Sequence, residues 1–280
     1  MKVRCPARVG LFISAGKGLF AKLSLCDELE LTALTSDKVE LELESETPIP
    51  AEANSALLAA AAFRKAFRVG RGVRIKLVKR IPVGSGLGGA ASDAGGVLRG
   101  LAALFETPGR GKVGAELLAL AKKLGSSVPF FVQPHPLCLV AGKRFIQVQP
   151  GGSIPYLVVA FPGFRLPPGE GRADPSPEAV SVGLTRKSHL DKLVCSLEEG
   201  LSLSRWEDLL FNRWEESRTP EAARVGQVRR ILSRVGLRGV RMAGPGPSCF
   251  GFAVSHPDGE RVLGTLREYP WRVFLTCCGG

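Results

Sequence analysis

Long apolar runs are missing from this sequence. Nothing approaches the roughly 20 residues that a membrane-spanning helix needs, and the opening MKVRCPARVG has no apolar core followed by a cleavage site, so neither membrane insertion nor a signal peptide is expected. Paired cysteines are missing too. The seven cysteines are scattered, with no CxxC and only Cys277 and Cys278 adjacent, which argues against a disulfide framework and a zinc site and for a reducing, cytoplasmic setting. Histidines are few, and His135, His189 and His256 each stand alone among loop residues, as surface histidines rather than catalysts. Cys249 has no histidine with a suitable local signature and reads as a small core residue. Blocks of like charge are also lacking. The net charge of +12 is spread in ones and twos (Arg64 and Lys65, Lys79 and Arg80, Lys122 and Lys123, Arg229 and Arg230), without interleaved aromatics. That is a generally basic surface rather than a dedicated nucleic-acid face.

What the chain does contain is apolar content for a sizeable core and 280 residues, enough for one large domain or two ordinary ones. Alternation predicts strands over 2–14, in AKLSL, in ELELTAL and in VELEL. Asn54 is placed to cap a helix over SALLAAAAFRKAFR, VRIKLV at 73–78 reads as a strand, and helices are expected over 89–105 and in VGAELLALAKKLG. Short strands are expected around VPFFV and LCLVAG. After the turn QPGGS the pattern restarts with strand YLVVAF, a Pro/Gly-rich stretch FPGFRLPPGEGRADPSPE, and helices near 187–197, 205–217 and 220–235. The helix at 205–217 rests on a Ser204/Glu207 capping box and on Trp206, Leu209, Leu210 and Trp214 sharing one face, read as core. Strand RGVRMA, turn GPGP, strand SCFGFAV, helix ERVLGTLREY and strand WRVFLT complete a split βαβ order. The domains expected are therefore 1–150 and 151–280.

The chemistry concentrates in KRIPVGSGLGGAASDAGG, residues 79–96. Gly84, Gly86, Gly88 and Gly89, followed by Ala90, Ala91 and Ser92, are more small residues than a turn needs. They let backbone N–H groups approach an anion and deliver it to the positive end of the next helix. GSGLGG matches G-x-G-x-x-G formally, and Glu106 lies near the distance of a ribose-binding acid. A dinucleotide fold would put that acid at the end of a second parallel strand, whereas Glu106 follows the helix. No Gly-Lys-Ser/Thr follows, so a Walker loop is excluded.

Pro82 to Ser92 resembles the phosphate loop of the GHMP kinases, P-x-x-x-G-L-G followed by small residues. Further segments support the resemblance in the right order: CPARVGLF at 5–12, Asn54 opening a helix, GSSVPFF at 125–131, Asn212 in an N-x-x-E-like segment, and GVRMAGPGPSCFGF near the C-terminus. The resemblance implies an α+β, two-domain GHMP kinase fold, with an N-terminal ribosomal-protein-like domain and a C-terminal ferredoxin-like domain. It implies ATP and Mg2+ as cofactors and phosphoryl transfer to a small-molecule hydroxyl; the likeness is strongest to the branch acting on a cytidine-diphosphate-linked sugar alcohol of isoprenoid precursor synthesis. Lys79, Pro82, Val83, Gly84, Ser85, Gly86, Leu87, Gly88, Gly89, Ala90, Ala91 and Ser92 are the expected cofactor-binding residues, together with Gly244 and Gly246.

Departures fall on the chemistry. Arg8 stands where the family has a catalytic lysine and Ser127 where it has a catalytic aspartate. Serine is a poor base without a partner, and a positioned base contributes about 10²- to 10⁴-fold, so slow or absent turnover is expected. Ala90 and Ala91 replace Gly and Ser, and AGKGLFAKLSL replaces the family's longer cytosine-holding segment. A catalytically impaired nucleotide-binding homologue is the alternative these substitutions raise. Asp93 reads as helix N-terminal electrostatics, with a magnesium or phosphate-network role as the other reading.

Overall fold

The computed structural model describes residues 1–106, 114–166, 179–217 and 219–279. Beyond Leu166, the Pro/Gly-rich stretch expected from the sequence lies outside them up to residue 178, as does Val113. Contacts divide the chain into two compact units: residues 1–7, 25–83 and 88–134, and residues 8–24, 84–87 and 135–280.

Two long strands, β1 (Lys2–Ser14) and β2 (Lys17–Ala33), carry residues of both units. In the first unit the later part of β2 pairs antiparallel with β4 (Val73–Val78), which pairs parallel with β3 (Val39–Glu44). The β3-to-β4 crossover is α1 (Ser55–Phe67). Its start is set by the residue the sequence singled out: the Asn54 carboxamide oxygen accepts from the Ala56 N–H at 2.9 Å and the Leu57 N–H at 3.4 Å. It ends at Arg68 in the left-handed region, φ 53°. Three helices follow β4: α2 (Gly89–Leu104), α3 (Ala115–Leu124) and α4 (Val128–Val132). VPFFV is thus a helical turn, not the expected strand. An apolar run of five has no diagnostic period, and Pro129 suits a first helical turn, where its missing N–H has no partner to lose.

The core of this unit joins Cys5, Leu29, Leu31, Phe63, Ile75, Leu98 and Val132. Glycines let α2 approach it closely: a Cβ at Gly95 would meet Phe131 Cβ at 2.7 Å, and one at Gly96 would run into Cys5 Sγ. The price of poor helix propensity, about 1 kcal/mol per glycine, is offset by this packing.

In the second unit the early part of β2 pairs with β5 (Leu137–Ala141), which forms a hairpin with β6 (Arg144–Gln147). A four-stranded antiparallel sheet has the order β11-β7-β10-β9, from β7 (Leu157–Phe161), β9 (Arg238–Met242), β10 (Cys249–Phe252) and β11 (Arg272–Thr276). Interposed are α5 (Ala179–Glu198), the two-residue strand β8 (Phe211–Asn212), α6 (Pro220–Arg234) and α7 (His256–Leu266). This is the ferredoxin-like arrangement that the element order predicts. Cys249 is fully buried in the core beneath this sheet, with Val158, Val228, Leu232 and Val262.

The expected helix at 205–217 is absent. Short 3₁₀ turns at Leu203–Arg205, Glu207–Leu209 and Arg213–Glu216 flank β8 instead. The capping box does not form, because the Ser204 hydroxyl pairs with that of Ser202 and Glu207 binds Arg238. The apolar face still goes inward: Trp206 is buried with its ring edge-on to Phe252, centroids 5.2 Å apart.

Candidate functional site

The glycine loop passes from the first unit (up to Val83) through the second (Gly84–Leu87) and back at Gly88. In the first unit it leads into α2. The N-cap, Gly88, has φ 81° and no side chain, so nothing on it satisfies the N–H groups of the first turn, and that turn carries no acidic residue. A first turn without a side-chain cap, together with the helix dipole, leaves a positive end suited to an anion. Next to it sits an unusual pair. Ser92 Oγ and Asp93 Oδ1 are buried without a hydrogen-bond partner among the described residues. Leaving buried polar atoms unmet costs about 1–3 kcal/mol each, which points to a ligand rather than to packing.

Lys79, expected among the cofactor-binding residues, pairs with two carboxylates. Its Nζ donates to Asp27 Oδ2 and to Asp93 Oδ2, both at 2.5 Å, with side-chain exposures of 5%, 0% and 5% for Lys79, Asp27 and Asp93. Asp27 Oδ1 accepts the N–H groups of Arg80 at 2.6 Å and Ile81 at 2.8 Å, which ties the loop's entry to β2. Burial pulls the Lys79 ammonium down, but Asp93 and Asp27 outweigh it and the net shift is upward. Burial pushes the Asp93 carboxyl up to about 8; Lys79 opposes the shift and Asp27 adds to it. Both directions describe a cluster that retains its protons. Asp27 escaped sequence reading because it lies 52 residues from Lys79, in a strand whose alternation gave no reason to single it out.

In the second unit, loop residues 84–87 lie against the turn after β9. Gly84 and Gly86 are in the left-handed region at φ 80° and 85°. A Cβ on Gly86 would come within 2.5 Å of the Gly246 backbone, and one on Gly244 within 2.7 Å of the Gly86 carbonyl. Both turn glycines are therefore required by backbone-to-backbone packing against the loop. Ser248 N–H donates to the Ser85 carbonyl at 3.2 Å, and Ser248 Oγ is a further buried atom without a partner among the described residues. Asn212 Nδ2 donates to the carbonyls of Met242 at 2.9 Å and Gly244 at 3.1 Å, and Glu215 Oε1 accepts from Met242 N–H at 2.7 Å. The N-x-x-E spacing thus brings both residues onto the β9 end of that turn.

Arg8 belongs to this unit. Its N–H donates to the Leu87 carbonyl at 2.9 Å, its guanidinium carbon sits 4.7 Å from the Phe20 ring centroid, and burial lowers its pKa to about 10. It is charged at neutral pH and attached to the loop through its backbone. Arg165, which the sequence gave no reason to choose, places its side chain over Gly84, with Cγ 2.8 Å from where a Cβ would stand. Ser127, in the first unit, directly precedes α4, and its carbonyl accepts from Phe130 N–H at 3.2 Å. A separate groove of about 520 Å³ along α6, lined by Arg229, Arg230, Arg234 and Arg241 among others, contains none of the expected catalytic or cofactor-binding residues.

Comparison with known families decides the lineage. The GHMP kinases N terminal domain model matches residues 54–133, and the GHMP kinases C terminal model matches 196–270. The chain belongs to the GHMP kinase family. A 4-diphosphocytidyl-2-C-methyl-D-erythritol kinase of Symbiobacterium thermophilum is 30% identical over 95% of this chain and 95% of its own length. The Thermus thermophilus enzyme of the same name is 34% identical over 90% of this chain and 83% of its own. A crystal structure of 4-(cytidine 5'-diphospho)-2C-methyl-D-erythritol kinase aligns with TM-score 0.77 at 29% identity, covering 100% of both chains. A homoserine kinase from Cytophaga hutchinsonii aligns at TM-score 0.79 and 18% identity, a likeness of fold alone. For a GHMP kinase, the uncapped start of α2 with the buried Ser92 hydroxyl beside it fits a nucleotide phosphate. Among the described residues no group of three or more His, Cys, Asp or Glu side chains could hold a metal, and no helix is long and apolar enough to cross a membrane.

Proposed function

We propose that this GHMP kinase binds ATP with Mg2+ and transfers the γ-phosphoryl group to a hydroxyl of 4-diphosphocytidyl-2-C-methyl-D-erythritol, a step in isoprenoid precursor synthesis. The observation that carries the binding half is the uncapped N-terminus of α2, with Ser92 Oγ buried and unpartnered beside it. The acceptor follows from the relatives, which bear that kinase's name across nearly the whole chain. The same coverage does not favour the alternative of a nucleotide-binding homologue without the activity.

A loose phosphoryl-transfer transition state needs positioning and charge neutralisation more than covalent help. When bound, ATP supplies the phosphoryl group, and Mg2+ comes largely through its phosphates, as this ion prefers. The backbone of Gly84, Ser85, Gly86, Leu87, Gly88, Gly89, Ala90 and Ala91, entered through Pro82 and Val83, together with Ser92 Oγ, holds the phosphates. Gly244 and Gly246 serve by letting their turn back the loop. Arg8 supplies fixed positive charge, although its planar fork does not replace an ammonium donor for donor. Ser127 stands at the base position and is weak there, so transfer rests on proximity and electrostatics and is slow.

The test is ADP release in the presence of Mg2+ and the cytidylyl acceptor, with the acceptor's phosphorylation followed by phosphorus NMR. Acceptor-dependent ADP release is expected, and Ser127→Asp should raise kcat about tenfold or more. ADP release that ignores the acceptor would overturn the substrate assignment.

A further inference from the structure

The Asp27–Lys79–Asp93 cluster is buried directly behind the phosphate-binding end of α2. Lys79 Nζ would lie 3.3 Å from a Cβ on Gly89, the first residue of that helix. One ammonium faces two carboxylates, so with both ionised the cluster carries a net negative charge under the place where an anion is to sit. Low dielectric makes that repulsion far stronger than it would be in water. One proton on Asp93 removes it, and Oδ1, which has no partner among the described residues, is the atom free to carry it.

We propose that the nucleotide binds the form of the protein in which Asp93 is protonated, so that Asp93 is a positioning residue controlling the charge behind α2 and ATP binding above neutral pH takes up a proton. This rests on the nucleotide reading given above. Lys79 holds Asp27 and Asp93 together and so fixes the loop's entry at Arg80 and Ile81 against the first turns of the helix.

The surroundings leave few other proton sources. The charged groups acting on Asp93 are Lys79 and Asp27. Cys5 on β1 faces the cluster, but its thiol is pushed well up by burial and then by Asp93, with Arg99 on α2 opposing. Helix α4 brings only VPFFV against α2. Helix α1 buries Ala56, Ala59, Ala60 and Phe63 and has Arg64 and Lys65 in its last turn; α3 buries Leu117, Leu120 and Ala121 and keeps Glu116, Lys122 and Lys123 in its end turns. A terminal phosphate loses its own last proton near pH 6.

Burial pushes the Asp93 carboxyl up to about 8, and a bound anion raises it further, since a neighbouring negative charge favours the protonated form. Affinity should therefore be constant below that point and weaken above it by up to about tenfold per pH unit. Calorimetric titration of the full chain with Mg2+ and ATP between pH 7 and 9.5, in two buffers of different ionisation enthalpy, reads affinity and proton uptake together. Uptake of about half a proton at pH 8, rising towards one at pH 9, is expected in the wild type. Asp93→Asn, which stays neutral throughout, should bind without uptake and with a Kd independent of pH. Wild-type binding without proton uptake would overturn this inference alone, as would retention of the wild-type pH dependence in Asp93→Asn. Absence of any binding at pH 7 would overturn the nucleotide reading along with it. Should Asp93→Asn fail to fold, wild-type proton uptake still decides the matter.

Discussion

The first unit and the second both hold carboxylates against cations, with opposite consequences. Lys79 with Asp27 and Asp93 is sealed off from solvent at 5% exposure or less. In the second unit Arg229 meets Glu215 at 2.9 Å with exposures of 30% and 13%, and Arg238 binds Glu207 with exposures of 40% and 19%. The difference teaches that an ion pair's chemistry is set by its water. Screened pairs contribute little. A buried cluster that cannot lose a partner cheaply becomes a device, because its protonation state is coupled to whatever binds beside it.

Breaking the buried member should have the largest effect. Lys79→Met leaves two carboxylates facing each other without their cation, and a loss of about 3–5 kcal/mol is expected in urea unfolding. A loss below about 1 kcal/mol would mean that water reaches the cluster. Glu215→Ala comes next. It removes the partner of Arg229 and the acceptor for Met242 N–H, for an expected loss of about 1–3 kcal/mol. Loosening of the 242–244 turn should show as faster amide exchange at Ala243 and Ser248.

Asp93→Asn sharpens the contrast through pH. A raised folded-state pKa means that the wild type's stability from this group is complete below the unfolded value near 3.9 and is lost as pH rises to about 8. The melting temperature of Asp93→Asn relative to wild type should therefore climb from pH 5 to pH 8 and level off beyond; a constant difference would show that Asp93 is ionised throughout. Arg238→Ala is the smallest. Its guanidinium is exposed, so no resolvable change in unfolding midpoint is expected at 0.15 M salt.

Much of the fold was legible because its signals are local. Asn54 capping α1, the alternation in VRIKLV and the order of elements after residue 156 each needed only neighbours in the chain. The segment 205–217 shows the limit. Its apolar spacing reported burial faithfully, yet burial of Trp206 was met by 3₁₀ turns once Glu207 had a partner in Arg238, 31 residues away. At the site, the glycine loop was evident from composition, whereas the fate of Lys79 was not. A lysine beside a phosphate loop suggests a phosphate ligand, and only the fold shows that two aspartates already hold it.

By itself the sequence determined the glycine-rich bend, the helix it feeds and the kinase lineage, since backbone freedom and helix polarity depend on residues next to one another. Tertiary structure alone decided which groups face which: that Gly86 packs on Gly246, that Asn212 and Glu215 brace the same turn, and that Asp27 reaches Lys79 and Asp93. Those contacts join residues far apart in the chain, and their strength comes from the exclusion of water, which no short stretch of sequence can accomplish.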